Sequence, residues 1–204
     1  MKNTFVYQAE KPVIKLLQIT DPHLFKDESA ELLGVNTQAS FAQVLKEIQQ
    51  ENNQFDVILA TGDLVQDSSD EGYIRFVEMM KPFNKPVFWI PGNHDFQPKM
   101  AEFLNQPPMN VAKHLLLGEH WQALLLDSQV YGVPHGQLSQ HQLDLLKETL
   151  EKNPERYTLV VLHHHLLPTN SAWLDQHNLR NSHELAEVLA PFSNVKAILY
   201  GHIH

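Results

Sequence analysis

The sequence predicts an α/β layered domain, and two observations lead to it. Short apolar runs recur from one end of the chain to the other, and amphipathic helical patterns fill the intervals between them. The runs are continuous and not alternating, as expected for strands covered on both faces. No internal repeat, low-complexity tract or linker interrupts the pattern, so residues 1–204 read as one domain.

The first strand is expected at Lys15–Thr20, followed by a long loop at Asp27–Asn36. Phe41, Val44, Leu45 and Ile48 then recur at helical spacing and predict a helix over Ser40–Gln50. A second strand follows at Val57–Thr61, a helix at Glu71–Met80 and a third strand at Val87–Pro91. Gln122–Leu126 is the fourth strand. Ser139 and Gln142 make a capping box for a helix that turns Leu143, Leu146 and Leu150 inward. The fifth strand is Tyr157–Leu162, and a second long loop spans Leu166–Asn181. A helix at Ser182–Leu189 and a strand at Val195–Tyr200 complete the order.

Composition narrows the function. The net charge is −9 and no run of Lys or Arg occurs, which disfavours stable binding to nucleic acid. No window approaches the length of a membrane span, and Met1–Lys15 holds no apolar stretch of signal-peptide length. A cytoplasmic protein is the expectation, and a homodimer is left open. There are no cysteines, so any metal must be held by oxygen and imidazole nitrogen. Thirteen histidines exceed what packing or solubility needs in a chain of this size, so their positions matter.

Those positions follow the strands. In open α/β sheets, ligands bind beyond the carboxyl ends of the strands. The first strand ends in Asp21-Pro22-His23, the second in Gly62-Asp63, and the third in Gly92-Asn93-His94-Asp95. The fifth ends in His163-His164-His165 and the last in Gly201-His202-Ile203-His204. A lone Asp or His at a strand end is usually a cap or a hydrogen-bonded structural residue. Five such pieces in order, each after its own strand, point instead to a two-metal site. Residues i and i+2 project to one side of a strand, so Asp21 and His23 are expected to chelate one ion. Asp63, with two carboxylate oxygens, is the natural bridge between two ions, and Asn93 offers a carbonyl oxygen. Nitrogen and oxygen donors without sulfur suit iron, manganese, zinc or cobalt. Asp95 either orients His94 or caps a following helix. His114, His120, His135, His141 and His183 match no motif and read as surface or packing residues.

Asp21-x-His23, Gly62-Asp63, Gly92-Asn93-His94-Asp95, His163 and Gly201-His202-x-His204 together resemble the motif series of the calcineurin-like metallophosphoesterases. The resemblance implies a layered β-sandwich flanked by helices. It implies two metal ions, iron and/or manganese, one held by Asp21, His23, Asp63 and His204. The other would be held by Asp63, Asn93, His163 and His202, with His94 catalytic and not a ligand. It favours His163 among the three consecutive histidines; strand alternation would then point His164 away and let His165 face the site again. Two cations would lower the pKa of a bridging water to give hydroxide, hold the phosphate and neutralise charge during in-line attack. His94 would stabilise the transition state or protonate the departing alkoxide.

Leu32–Thr37 and Ser171–Asn181 are similar to bacterial class III cyclic-AMP phosphodiesterases, and both lie in the long loops. This resemblance implies a cyclic nucleotide substrate, cyclic 3',5'-AMP. Contacts to it would come from His23, Asp63, Asn93, His94 and His204, and from Trp173, His177 and Arg180. Trp173 either packs on the base or pins its loop. Alternatives are a broad phosphodiesterase acting on glycerophosphodiesters or other cyclic nucleotides, a phosphomonoesterase, or a catalytically impaired fragment or scaffold. The chain ends on a proposed ligand, His204, where related enzymes continue with further strands. Truncation after the Gly-His-x-His motif is therefore expected to leave the sandwich without its C-terminal strands.

Overall fold

A computed structural model of the protein describes residues 4–50 and 54–203. The chain forms two compact units, residues 15–111 and residues 1–14 with 112–204. Each has its own sheet. Mixed α/β architecture with largely parallel sheets flanked by helices agrees with the expected class. Among the described residues no helix is long and apolar enough to cross a membrane.

In the 15–111 unit the sheet runs in the order β2 (Leu16–Ile19), β5 (Val57–Ala60), β6 (Val87–Trp89), β7 (Met109–Asn110), all parallel. Every residue of β5 and β6 is buried, which is why these runs lack alternation. The crossover from β2 to β5 contains helix α1 (Thr37–Gln50). It begins three residues before the expected Ser40, because Asn36 Oδ1 accepts the amide of Ala39 at 2.7 Å and caps the first turn. Phe41 and Leu45 face the core, whereas Val44, expected on the same stripe, is 51% exposed. The presumed loop 27–36 holds a small hairpin, β3 (Glu31–Leu32) and β4 (Val35–Asn36). Its turn places Leu33 and Gly34 at φ 52° and 83°, the paired positive values of a tight hairpin turn. Helix α2 (Asp70–Met80) starts at Ser69, whose Oγ accepts the Gly72 amide, with Asp70 and Glu71 in its first turn. It buries Tyr73, Phe76, Val77 and Met80. A short helix, α3 (Gln97–Phe103), was not anticipated.

In the other unit the order is β1 (Thr4–Tyr7), β8 (His114–Leu117), β9 (Trp121–Leu125), β10 (Tyr157–Val161), β11 (Val195–Leu199). Only β8 and β9 pair antiparallel. Helix α4 (Gln140–Lys152) is capped by Ser139 as expected, and it buries Leu143, Leu146 and Leu150. The reciprocal half of the capping box is missing, because the Gln142 side chain accepts the Asp127 amide instead. Helix α5 (Ser182–Leu189) matches its expected span. Strand β11 is partly exposed along its length, unlike the two-sided burial its sequence suggested.

A polar chain crosses this sheet. His114 Nε2 meets Gln122 Oε1 at 2.9 Å, and Gln122 Nε2 donates to Thr158 Oγ1 at 2.8 Å. Thr4 Oγ1 lies 3.3 Å from His114 Nδ1. Burial lowers the His114 pKa below 6.5, against the opposing effect of the Gln122 bond. As pH falls through 6.5 the unfolded chain takes up this proton first, so stability declines until the lowered folded value is passed. The slope from one such group is at most about 1.4 kcal/mol per pH unit. His114→Gln should flatten the fall in urea midpoint between about pH 7 and about pH 5 relative to the parent.

Candidate metal centre

The loop after β2 runs beside the loop after β5 and extends their pairing past the strands. The amides of Asp21, His23 and Leu24 donate to the carbonyls of Gly62, Asp63 and Leu64, each at 3.0 Å. Along this path Asp21, His23 and Asp63 adopt φ of 54°, 45° and 52°. Three left-handed non-glycine residues in one place is stored strain of the kind that collects at functional sites. The left-handed backbone, and not strand alternation, brings Asp21 and His23 together.

The side chains converge. His23 Nε2 lies 3.7 Å from Asp21 Oδ1 and 3.9 Å from Asp63 Oδ2, and all three side chains are almost wholly buried. The other Asp21 oxygen accepts from the Thr20 hydroxyl. Asp63 Oδ1 accepts the His94 amide at 2.9 Å, so the two carboxylate oxygens of Asp63 face different neighbours. The His94 ring meets His23 edge-on at 5.3 Å. One ligand atom each from His23, Asp63 and His94 lies within 4.8 Å of the others. Gly92 sits where a Cβ would come 2.2 Å from Asp63 Oδ1, which explains the glycine of the Gly-Asn-His-Asp motif.

Asp95 is not the cap of the following helix. Its carboxylate accepts the amides of Gly92, Leu64 and Val65 and the Tyr73 hydroxyl, tying the loop after β6 to the loop after β5. The residue before α3 is Phe96, which makes no side-chain cap. Burial first, and then the charge of Asp63, push the Asp95 pKa up to about 7. The same burial raises that of Tyr73 beside it.

In the other unit, β10 ends at Val161, before the three histidines, so alternation no longer governs them. His163, His164 and His165 are all buried. His163, His164 and His202 form one group, each offering a ring nitrogen within 4.8 Å of the others. His164, expected to turn away, therefore faces the group. His165 lies flat against His202 at 5.7 Å, outside that trio. His202 has a left-handed φ of 71°, and the Gly201 amide donates to the His163 carbonyl. His204 lies outside the described residues.

The long loop 166–181 brings two of its three candidates toward this group. Trp173 packs edge-on against His177 at 4.5 Å, and His177 lies 6.3 Å from the His202 ring. Trp173 is 67% exposed. Arg180 is exposed and donates to the Gln176 carbonyl. Asn181 anchors the loop end through both the amide and the carbonyl of Leu138. Among the unmatched histidines, His114 belongs to the buried polar chain, while His120, His141 and His183 are exposed. Ser128, bonded to His164 Nδ1 at 2.8 Å, carried no signal in the sequence.

The donors fit metal ions. One group joins the imidazoles of His23 and His94 to the Asp63 carboxylate, the other consists of the imidazoles of His163, His164 and His202, and sulfur is absent. Asn93 Oδ1 is buried and has no hydrogen-bond partner, the environment of an amide oxygen that ligates a cation. Comparison with known proteins agrees: the calcineurin-like phosphoesterase profile matches residues 14–204. The chain belongs to the calcineurin-like phosphoesterase family.

This phosphoesterase is 98% identical over 204 residues to the Haemophilus influenzae 3',5'-cyclic adenosine monophosphate phosphodiesterase CpdA, covering all of this chain and 74% of that protein. It is 53% identical over 191 residues to the Escherichia coli K12 protein of the same name, covering 94% and 70%. Among solved structures, the phosphoesterase is similar to a dimetal phosphatase from Danio rerio, with TM-score 0.70 and 15% identity, over 95% of this chain and 82% of that one. A purple acid phosphatase from yellow lupin gives TM-score 0.69 at 14% identity, over 97% and 39%. These two show the fold.

Proposed function

We propose that this phosphoesterase is a binuclear metal-dependent phosphodiesterase that hydrolyses cyclic 3',5'-AMP to 5'-AMP. The observation that carries the substrate is the 98% identity, across the whole chain, to a protein named for that activity. In this reading residues 1–204 act as one metallophosphoesterase domain in the cytoplasm.

Asp21, His23, Asp63 and His204 would hold one ion, and Asp63, Asn93, His163 and His202 the other, with iron and/or manganese suited to these donors. When bound, the two cations supply Lewis acidity to the phosphate and lower the pKa of water near neutral pH. The chain's own residues do the rest. Asp63 faces two ways, which suits a shared ligand. His94, whose backbone amide donates to Asp63 Oδ1, would turn its imidazole to the phosphate. Formation of 5'-AMP breaks the bond from phosphorus to the 3' oxygen, and His94 is the group that gives that oxygen its proton. The exposed Trp173 would offer a face for adenine, and His177, packed beside it, or Arg180 would meet the ribose or the phosphate.

The test is hydrolysis of cyclic AMP by this chain with manganese or iron added, against a chelated control and a generic diester. Chelator-sensitive conversion to 5'-AMP is expected. Cleavage of the generic diester alone would discard cyclic AMP and favour a broad phosphodiesterase; cleavage of neither would favour a catalytically impaired scaffold. Base stacking on an aromatic side chain contributes about 1–3 kcal/mol. Trp173→Ala should therefore raise the KM for cyclic AMP about tenfold with little change in kcat. An unchanged KM would mean that Trp173 does not touch the base.

A further inference from the structure

We propose that Asp175 is a positioning residue for substrate selectivity, its carboxylate closing the loop that presents Trp173 to the base; this rests on the reading of Trp173 as the face for adenine. No residue from 167 to 178 is buried, so apolar packing contributes little to the shape of this segment. Hydrogen bonds set that shape instead. Asp175 Oδ1 accepts both the amide and the hydroxyl of Thr169, at 2.7 and 2.8 Å. The two bonds join the ends of the stretch 169–175, which contains Trp173.

The other bonds of the stretch build on this closure. The Thr169 hydroxyl that donates to Asp175 also accepts the Ser171 amide at 3.3 Å. The Asp175 amide donates to the Ser171 carbonyl at 2.9 Å, and Asn170 turns the chain with a left-handed φ of 63°, which asparagine tolerates. Gln176 Nε2 donates to the Ala172 carbonyl at 2.9 Å, and the His177 amide donates to the Leu174 carbonyl at 2.8 Å. The His177 ring, held by that turn, is the one that meets Trp173 edge-on. An anionic acceptor makes hydrogen bonds about twice as strong as a neutral one. The Thr169 amide first, and then its hydroxyl, hold the Asp175 carboxyl below its ordinary pKa of 3.8, so the acceptor is charged at neutral pH. Without the closure the segment would sample many shapes, and ordering it at each encounter would weaken binding. That loss falls on binding of the base and not on the phosphate chemistry. A substrate with no base should not register it.

The test is steady-state kinetics of the metal-loaded protein with cyclic AMP and with its baseless counterpart, 1-deoxyribose cyclic 3',5'-phosphate, beside thermal melts. Asp175→Ala should raise the KM for cyclic AMP about tenfold, the size expected for Trp173→Ala, with kcat kept within about twofold. The KM of the baseless compound and the melting temperature should barely move. Asp175→Asn keeps an oxygen for Thr169 and should hold the KM within about threefold of the parent, a rescue that loss of charge alone would not give. The double variant with Trp173→Ala should stay near tenfold, where independent contributions would multiply to about 100-fold. With the parent active on cyclic AMP, an unchanged KM in Asp175→Ala would overturn the proposal and leave the substrate reading intact. Multiplying effects in the double variant would also overturn it. So would equal losses on both compounds with a lowered melting temperature, which would mark a packing role. A parent that does not cleave cyclic AMP would remove the substrate reading and the proposal with it. If Asp175→Ala does not fold, Thr169→Val, which loses the hydroxyl and keeps the amide, decides by the same readouts, with KM raised about threefold.

Discussion

Asp63→Ala should abolish metal-dependent hydrolysis of cyclic AMP, lowering kcat more than about a thousandfold. His94→Ala should keep the metal and lose about 10²–10⁴ of the rate. The contrast follows from position. Asp63 is 2% exposed, with one oxygen bonded to the His94 amide and the other 3.9 Å from His23 Nε2. Losing it removes a donor from both proposed ions and the bond that fixes the His94 backbone. His94 has a ring that reaches the same group, but its loss leaves the carboxylates, Asn93 and the remaining histidines in place. Metal content measured beside steady-state kinetics separates the two variants. Wild-type turnover in Asp63→Ala would show the two-metal reading to be wrong.

Gly92→Ala is the second large effect. The added methyl would lie 2.2 Å from Asp63 Oδ1, 2.3 Å from its backbone nitrogen and 2.7 Å from its Cγ. None of these atoms can yield cheaply. The Asp63 backbone is held in a left-handed conformation, and its carbonyl accepts from the His23 amide. The Gly92 amide is itself bound to Asp95, so movement of one loop must disturb the other. Overpacking of this kind costs about 3 kcal/mol, or roughly 6–12 °C in Tm for a protein of this size. Because the displaced atoms include a proposed ligand, metal affinity should fall more steeply than stability. Thermal melts with and without added manganese check this: the stabilisation by metal seen in the parent should disappear in the variant. Retention of that stabilisation would mean that the Gly92–Asp63 approach does not shape the site.

All six strands expected from the sequence are present within a residue or two, because continuous apolar runs signal strands packed into a sheet, although β11 is buried on neither face throughout. The elements that escaped notice are short or one-sided. Strand β1 alternates between exposed and half-buried residues, β7 is two residues long, and α3 has seven residues with a proline near its start. Strand β8 has an apolar core but opens on His114, whose burial depends on Gln122 from the neighbouring strand. The hairpin at residues 31–36 reads as loop because its turn starts at Leu33, a residue that rarely takes positive φ and is 97% exposed here.

The sequence by itself determined the alternation of strands and helices, the donor chemistry and the order of the motifs, since burial and ligand type are properties of single residues and their spacing. In the structure Asp63 follows β5, an interior strand of the order β2-β5-β6-β7. Only the tertiary structure decided how the donors converge. Left-handed backbone at Asp21, His23, Asp63 and His202, the turn of His164 toward His163 and His202, and the attachment of Asp95 to three amides depend on contacts between distant segments. Those conformations cost energy locally and persist because pairing across loops stabilises them, and a local sequence pattern does not record that balance.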